Sequence, residues 1–297
     1  MKNMVVKLVL LSVFLTAFGC SLSLAQPNLH EAWVVECEDG DTVKVKLTEK
    51  PDKLEGIRYL LASAPEKEDC LGLEATDYNR DLVFGKQLWL ELEPQDGDYL
   101  RVHMGNRILA YAYLDPYGVD MVNLRLVQTG SAKIDVRDVK DDTPPSDFKV
   151  KYLDRFTQAQ IEAAREWRGW WGECDDYKDS NLVIVFAKFW GGDEIIYILN
   201  RGEEEFSLIS NWKLIDEVGN EIIFTPALTL GEECFLPPGG LLRVHSGPDI
   251  PQEYSLVTCG EAEVDFYWTR RNIWNNGGDT VVLESSYGNY RYEYKGG

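Results

Sequence analysis

The sequence predicts an α+β segment followed by an all-β segment. In residues 31–172, runs with an apolar residue at every second position alternate with runs of helical spacing, which indicates strands mixed with helices. From Leu182 onward the helical spacing stops, and short alternating runs are separated by turns rich in Gly, Asn and Pro. Because 297 residues is about twice a typical domain, we expect two folded units, the second a β-sandwich over residues 181–297.

The strands and helices of the first unit follow from these two spacings. Strands are predicted at residues 43–47 (after a turn at residues 38–41, forming a hairpin), 88–92 and 108–114. Helices are predicted at residues 71–82, 121–129 and 156–167. Asp120 is the expected N-cap of the second helix, and Gly130 and Gly169 are expected to end the second and third. In the second unit, strands are predicted at residues 182–187, 194–199, 241–244 and 280–283, after a short polar linker at residues 173–180.

The charge balance limits how this chain can contact a polyanion. Asp and Glu number 50 against 30 Lys and Arg, for a formal charge of −20. This excess excludes nucleic-acid binding through an overall basic surface. Any phosphate contact must come from a few focused cations.

The N-terminus has the pattern of an export signal over residues 1–25. Lys2 and Lys7 precede an apolar run at residues 8–18, which is too short to span a membrane. Small residues before Gln26 predict cleavage and secretion, while Cys20 offers a lipid anchor as the alternative. We therefore expect a secreted or extracytoplasmic protein without a transmembrane helix.

The expected compartment decides how the cysteines are interpreted. No two of them have the C-x-x-C spacing typical of zinc sites, whereas an oxidising compartment favours disulfides. Cys70 with Cys174 and Cys234 with Cys259 are the expected pairs, which leaves Cys37 unpaired; buried free thiols are the alternative.

Three runs in the first unit suit phosphodiester hydrolysis. Asp41 lies at the hairpin turn, Arg58 and Glu66 frame a strand that leads into a loop, and Arg107 begins another strand. Arginine forks bind phosphate oxygens and meet the charge that grows on them in the transition state. A glutamate can activate water, and a turn aspartate can hold a hard divalent cation.

Residues 31–172 resemble the staphylococcal (micrococcal) thermonuclease domain. The resemblance is carried, in order, by DGDTVKV, IRYLLASAPE, GLEA, RILAYAYLD, MVN, GSAK and the end of the last helix at residues 164–171. It implies a five-stranded OB-fold barrel with three helices and nuclease activity. It also implies that Glu66 activates water and that Arg58 and Arg107 bind the scissile phosphate.

The same resemblance implies a calcium site with an altered ligand set. Asp41 matches one calcium-binding aspartate, Ser63 stands where the family has the second, and Ala64 offers its backbone carbonyl. The loss of one carboxylate near 4 Å is worth on the order of a few kcal/mol at a protein surface. We therefore expect Ca²⁺ as cofactor, bound more weakly than in the family.

Substrate contacts also depart from the family pattern. One of the family's nucleotide-binding tyrosines aligns near Gly105 and two others align with Val136 and Asp138, so the preference between DNA and RNA stays open. Lys133, in the GSAK run, is interpreted as a solvated charge, with an approach to phosphate as the alternative.

Residues 181–297 resemble the lamin-tail domain, an immunoglobulin-like β-sandwich. The resemblance is carried by IIYILNRG, LISNWKLID, PGG and IWNNGGDTVVL. Trp212 and Trp274 are expected in its core, and residues 275–279 in a tight turn. The resemblance implies a binding or attachment module, with a surface or polymer as ligand. Residues 268–271 place two arginines beside an aromatic ring and are interpreted as an exposed loop with incidental charges, with contact to nucleic acid or an anionic polymer as the alternative.

The sequence is compatible with three functions. The first is an exported, metal-assisted endonuclease that hydrolyses DNA or RNA. The second is a catalytically weak nuclease-fold module that binds nucleic acid or a protein, because one calcium carboxylate is missing. The third is a structural surface protein. Retention of Arg58, Glu66 and Arg107 together favours the enzyme.

Overall fold

The N-terminal part of the chain forms a closed five-stranded barrel with helices around it. The computed structural model describes residues 27–102, 105–136, 145–175, 177–178, 180–207, 210–225, 234–251, 262–275, 279–285 and 291–296. The elements up to residue 173 are β1 (Leu29–Cys37), β2 (Thr42–Leu47), β3 (Leu54–Tyr59), α1 (Gly72–Val83), β4 (Gln87–Leu92), β5 (Pro94–Gln95), β6 (Asp98–Tyr99), β7 (Ile108–Tyr113), α2 (Val122–Gln128), α3 (Leu153–Arg165) and α4 (Trp170–Glu173).

The barrel closes in the order β1-β2-β3-β7-β4. Strand β1 pairs antiparallel with both β2 and β4, and β3 pairs parallel with β7. The predicted hairpin and the predicted strands are confirmed, and five strands with α1, α2 and α3 fit the OB fold. The single-turn helix α4 is an addition.

Two helix ends differ from the sequence prediction. Met121, not Asp120, is the N-cap of α2, because the Asp120 carboxylate is bonded to the guanidinium of Arg125. Helix α3 ends at Arg165, so Trp167 lies beyond it with a left-handed backbone (φ 56°). The Trp167 ring there covers the guanidinium of Arg201, whose carbon is 3.7 Å from the ring centre.

The C-terminal part consists mainly of strands. They are β8 (Leu182–Lys188), β9 (Glu194–Asn200), β10 (Phe206–Ser207), β11 (Lys213–Ile215), β12 (Glu221–Ile223), β13 (Phe235–Leu236), β14 (Leu241–Ser246), β15 (Glu263–Thr269), β16 (Asp279–Glu284) and β17 (Arg291–Gly296). Two four-stranded sheets, β15-β14-β9-β8 and β12-β11-β16-β17, contribute side chains to one apolar core. Trp274 is buried in that core as predicted, and Trp212 packs at its edge. The predicted turn at residues 275–279 lies partly outside the described residues, and the immunoglobulin-like topology stays a prediction.

The barrel and the C-terminal strands are packed directly against each other. Gln160 of α3 is fully buried between them; its amide oxygen accepts from the backbone N–H of Ile134 at 2.7 Å, and its amide nitrogen donates to the carbonyl of Val185 at 2.5 Å. Phe186 lies in β8 and Trp190 follows that strand, yet both side chains belong to the apolar cluster of the barrel. The C-terminal strands therefore pack with the barrel as one body. A module that served only as a tether would not need these contacts.

Disulfides support the predicted cysteine pairing. Cys70, just before α1, is bonded to Cys174, and Cys37 is a free thiol, both as predicted. Cys234 is disulfide-bonded as well. The predicted partner, Cys259, lies outside the described residues.

His245 on β14 lies between two carboxylates. Its Nδ1 is 2.9 Å from Asp193 Oδ1, and its Nε2 is 3.1 Å from Asp265 Oδ1. Burial lowers the pKa of His245, but the two carboxylates raise it by more, so the pKa lies above the usual histidine value. The protonated ring therefore stabilises the folded state.

This raised pKa predicts a pH-dependent stability. The stabilisation is complete below the unfolded histidine pKa of about 6.5, and it is lost as pH rises through the higher folded value. We expect the urea midpoint to fall as pH rises from about 6 to about 9, by more in the native chain than in His245→Gln. Equal falls in both proteins, measured by far-UV circular dichroism, would remove His245 as the cause.

The helices give no indication of a membrane span. Among the described residues, none is both long enough and apolar enough to cross a bilayer.

Candidate active site

The hairpin turn between β1 and β2 is held in place by its neighbours. The Asp39 carboxylate accepts from the Asp41 backbone N–H at 3.0 Å, and the Asn79 side chain on α1 donates to the Asp39 carbonyl at 2.9 Å. A Cβ at Gly40 would lie 2.5 Å from the Cβ of Ala64, so only glycine permits this approach. The turn therefore packs directly against the loop that carries Ser63, Ala64 and Glu66.

That loop, residues 60–71, is fixed at both ends by unusual backbone geometry. Leu61 and Leu71 both have left-handed backbones (φ 58° and 62°), which cost an ordinary side chain about 1–2 kcal/mol each. Between them, Ser63 exchanges two backbone hydrogen bonds with Lys133, at 2.8 and 2.9 Å. A Cβ at Gly72 would lie 1.8 Å from the carbonyl oxygen of Glu66, so helix α1 also needs glycine at its start.

Arg58 and Asp41 form a largely buried ion pair at the centre of the site. Nη1 of Arg58 pairs with Asp41 Oδ1, and Nη2 donates to Ser63 Oγ at 3.1 Å. The backbone N–H of Ala64 donates to Asp41 Oδ2 at 2.7 Å. The side chains are 14% and 5% exposed for Arg58 and Asp41, so each neutralises the other in a region with little water.

Arg107 joins the same network from the neighbouring strand. Its stem lies over Gly56 of β3, where a Cβ would be 3.0 Å from Arg107 Cγ. Nη1 donates to Thr42 Oγ1 at 2.9 Å, and Thr42 in turn donates to Asp41 Oδ1 at 3.0 Å. Among the described residues no carboxylate pairs with Arg107, and its Nε has no acceptor. Arg107 therefore offers a cation that the fold has not neutralised.

Glu66 lies on the rim of this network. Its side chain is exposed and forms none of the hydrogen bonds or ion pairs found within the described part of the chain. It is two residues beyond Ala64, whose N–H is bonded to Asp41. A solvent-exposed carboxylate in this position can accept a proton from a water molecule.

A cleft begins at this rim and runs to the junction with the C-terminal strands. We call it the junction cleft; it has a volume of about 350 Å³. Its lining includes Ser63, Glu66, Lys133, Trp170, Phe186 and Tyr294. The first four belong to the barrel segment, and the last two belong to β8 and β17. A cleft of this volume accommodates a small ligand such as a nucleoside.

The predicted calcium ligands are neighbours, but the side-chain oxygens of Asp41 and Ser63 are already engaged. Calcium takes six to eight oxygen ligands. Here Asp41 is the single carboxylate of the three, and both its oxygens accept hydrogen bonds or an ion pair, while Ser63 Oγ accepts from Arg58. The described residues contain no group of three or more acidic, Cys or His side chains arranged to hold a metal. The three residues as arranged do not fit a calcium site, and calcium binding stays a prediction.

The structure thus joins five of the six predicted site residues in one hydrogen-bonded network, with Glu66 at its rim. Sequence reasoning missed Thr42, which connects Arg107 to Asp41, and the buried Asn123. The Asn123 amide nitrogen donates to the carbonyls of Leu60 and Ala110 at 2.9 and 3.0 Å, which anchors the start of the loop. Both residues lie within runs that carry the resemblance, DGDTVKV and MVN, but the sequence analysis assigned a role to neither.

Lys133 is not the solvated charge that the sequence predicted. Its Nζ lies 4.0 Å from the ring centre of Trp170 and donates to the hydroxyl of Tyr177 at 2.9 Å. The disulfide at Cys174 and helix α4 bring this aromatic pair against the GSAK run.

Comparison with known proteins finds a family match for part of the barrel segment. Residues 54–173 match the family model described as staphylococcal nuclease homologue. No curated protein matches the chain. The matched residues cover β3 to α4, including Arg58, Glu66 and Arg107. With its closed five-stranded barrel, this part of the chain is a thermonuclease-like domain.

Proposed function

We propose that this protein hydrolyses phosphodiester bonds of DNA or RNA at the rim formed by Glu66, Arg58 and Arg107. Arg107 is the observation that carries the proposal. In a chain of formal charge −20, it is a guanidinium held by Thr42 with no carboxylate partner among the described residues. Such a cation beside a second arginine suits an anion that comes from outside the protein.

The proposed roles follow from the position of Glu66 on the rim and from the contacts of the two arginines. Glu66 takes a proton from water as the water oxygen bonds to phosphorus, and the bond from phosphorus to one ester oxygen breaks. The departing oxygen takes a proton from solvent and becomes the hydroxyl of the released fragment. Arg107 binds the phosphate oxygens and stabilises the negative charge that grows on them. Arg58 contributes guanidinium donors beside Arg107, and the ion pair with Asp41, which offsets its charge, fixes their orientation. No step is assigned to calcium, because the predicted ligands do not form a site.

Cleavage of DNA and RNA tests this proposal. The purified chain is incubated with plasmid DNA, single-stranded DNA and RNA, each with calcium or with a chelator, and fragment lengths are followed by electrophoresis. Glu66→Gln is expected to slow cleavage by at least about a hundredfold, because positioned acid–base groups contribute about 10²–10⁴. The matched control is Glu68→Gln, an exposed glutamate of the same loop, which should cleave at the native rate.

Two outcomes would count against the enzyme. One is native cleavage by Glu66→Gln, which rejects Glu66 as the base. The other is intact nucleic acid after incubation with the native chain in every metal condition.

The binding module remains the second candidate, and one observation favours it. The Asp41 carboxylate is committed to Arg58, and Ser63 replaces the second carboxylate expected from the resemblance. Retarded but uncut DNA in the same experiment would support this function.

We also propose an exported location and an attachment role for the C-terminal strands. Two disulfide-bonded cysteines in the first segment and a third in the second support an oxidising compartment. Secretion, or a lipid anchor at Cys20, accounts for that compartment. The resemblance to the lamin-tail domain supports a surface or polymer ligand for the C-terminal strands.

A further inference from the structure

The segment that carries Glu66 has few contacts of its own to hold it. Residues 66–70 are all exposed, so burial of their side chains does little to fix the segment. Two backbone hydrogen bonds shape it: the N–H of Asp69 donates to the Glu66 carbonyl at 2.9 Å, and the N–H of Gly72 donates to the Asp69 carbonyl at 3.1 Å. Each contributes about 1 kcal/mol net. These bonds join residues 66–72 into one turn, so Glu66 moves with the start of helix α1.

The start of helix α1 is itself held in an unfavourable backbone conformation. Leu71 is the N-cap residue, and its left-handed backbone (φ 62°) costs an ordinary side chain about 1–2 kcal/mol. A leucine side chain also has no acceptor for the free N–H groups of the first helical turn. A conformation of this kind persists only where the surrounding structure enforces it. The turn therefore needs an anchor from outside the segment.

The disulfide between Cys70 and Cys174 supplies that anchor. Cys70 directly precedes Leu71 and lies four residues after Glu66. Its partner is firmly placed: Cys174 is 3% exposed, and its backbone N–H donates to the carbonyl of Trp170 at 3.3 Å. The disulfide thus joins an exposed turn to a buried point of the fold.

The segment around Cys174 is held by the C-terminal strands. Arg201, directly after β9, is 5% exposed and donates to the carbonyls of Trp171 and Ser180 at 2.7 Å each. It also donates to the carbonyl of Tyr177. Two of these carbonyls, of Trp171 and Tyr177, lie on either side of Cys174 in the chain. The anchor of the Glu66 turn is therefore fixed by the second part of the chain.

The two arginines of the site are positioned without this disulfide. Arg58 lies on β3 and Arg107 directly precedes β7, so both are placed by barrel strands. Ser63, whose hydroxyl accepts from Arg58, is held by its backbone pairing with Lys133. Loss of the disulfide should therefore displace Glu66 and leave the phosphate-binding groups in place.

We propose that Cys70 and Cys174 are positioning residues for hydrolysis and that their disulfide switches the nuclease on. The proposal rests on the proposed nuclease function for the role of Glu66. Cys70 is exposed, so a dithiol reaches the bond from solvent. The dithiol gives up two electrons and two protons: the sulfur–sulfur bond breaks, both cysteines become thiols, and the dithiol closes to its own disulfide. A newly made chain in a reducing compartment is then inactive, and it gains activity on reaching an oxidising one.

Cleavage kinetics of the Cys70→Ser/Cys174→Ser variant test this switch. On a fluorescent oligonucleotide, kcat is expected to fall by about a hundredfold, because a misplacement of about 1 Å can cost that much. KM should stay within about twofold of the native value, since the arginines keep their positions. The native chain treated with a dithiol should fall to the rate of the variant, and it should recover when the dithiol is removed and the cysteines reoxidise.

Hydrogen exchange followed by mass spectrometry locates the change without relying on activity. The amides of Asp69 and Gly72 should lose their protection in the variant, whereas those of Ser63 and Lys133 should keep it. Cys37→Ser is the matched control, because it removes a cysteine that forms no disulfide. It should keep the native kcat and the protection of all four amides.

The outcomes separate this proposal from the nuclease. If the variant keeps the native kcat, or keeps protection at Asp69 and Gly72, the switch is refuted even where the native chain cleaves DNA. Loss of near-UV circular dichroism together with protection at all four amides would also refute it, because the disulfide would then hold the whole fold. If protection is lost at Asp69 and Gly72 alone while the native chain leaves nucleic acid intact, the hold of the disulfide on this turn stands and the nuclease is refuted.

Discussion

Arg107→Ala is expected to lower the rate of phosphodiester cleavage by at least about a hundredfold. Removing one preorganised donor to the transition-state oxyanion costs about 10²–10³ in rate, and here a full charge is lost as well. The reason lies in the contacts of Arg107: its guanidinium donates to Thr42 and has no carboxylate partner in the described part of the chain. Initial rates on a fluorescent oligonucleotide measure the effect.

The fold should tolerate this substitution. Arg107 contributes a stem packed on Gly56 and one hydrogen bond, while its buried Nε is unpartnered. We expect the free energy of unfolding to change by no more than about 1 kcal/mol. Arg107→Lys keeps the charge without the planar fork and should lose less activity than the alanine variant.

The matched control is Arg125→Ala. Arg125 is an exposed arginine of α2 that pairs with Asp120. It should cleave at the native rate, because an exposed ion pair away from the barrel rim contributes about 0–1 kcal/mol to stability and nothing to phosphate binding. Native turnover by Arg107→Ala would reject the assigned role.

Arg107 gives a clearer test than Arg58. Replacing Arg58 would leave the buried Asp41 carboxylate without its counterion, which typically destabilises by about 3–5 kcal/mol. A loss of activity in that variant would combine misfolding with lost phosphate binding. Arg107 has no such buried partner.

Most strands could be predicted because their signal is local. The alternation of buried and exposed side chains in β2 lies within six consecutive residues, and the apolar positions of β4 and β7 were recognised in the same way. The parallel pairing of β3 with β7 could not be derived from periodicity, because it depends on residues about fifty positions apart. The resemblance implied a five-stranded barrel, but no pairing of these two strands was predicted.

The sequence named the candidate site residues one by one, but it did not predict the contacts between them. Thr42 pairs with Arg58 across β2 and β3, and this register places the threonine between the two arginines. A sequence pattern gives residue types and order, whereas the hydrogen bond from Arg107 to Thr42 depends on how the barrel closes. The interpretation of Lys133 failed for a similar reason, since Trp170 and Tyr177 reach it only through the folded chain.

Replacing both Cys70 and Cys174 by serine is expected to lower the free energy of unfolding by about 4 kcal/mol. The disulfide spans 104 residues, and in the chain-entropy model a closed loop of about this length stabilises the fold by about 4–5 kcal/mol. The position of the disulfide matters as much as the length of the loop that it closes. It ties the end of the Glu66 loop to the residue after α4, beside the aromatic pair that holds Lys133.

Urea unfolding at neutral pH, followed by tryptophan fluorescence, measures this loss. The double serine variant is preferable to a reductant, because a reductant would also break the disulfide at Cys234. Cys37→Ser is the matched control: Cys37 is free, and burial raises the pKa of its thiol to about 11, so it carries little thiolate that could exchange with the disulfides. It should unfold within about 1 kcal/mol of the native chain.

A midpoint in the double serine variant equal to that of the native chain would show that other contacts already close this loop. The candidates are the backbone pairing of Ser63 with Lys133 and the hydrogen bond from the Trp170 backbone N–H to the Gly130 carbonyl at 3.0 Å. Together they connect the Glu66 loop to α4 through the GSAK run, which lies between them. Because each backbone bond contributes only about 1 kcal/mol net, we expect them to fall well short of the disulfide, and the Glu66 loop to open first when it is removed.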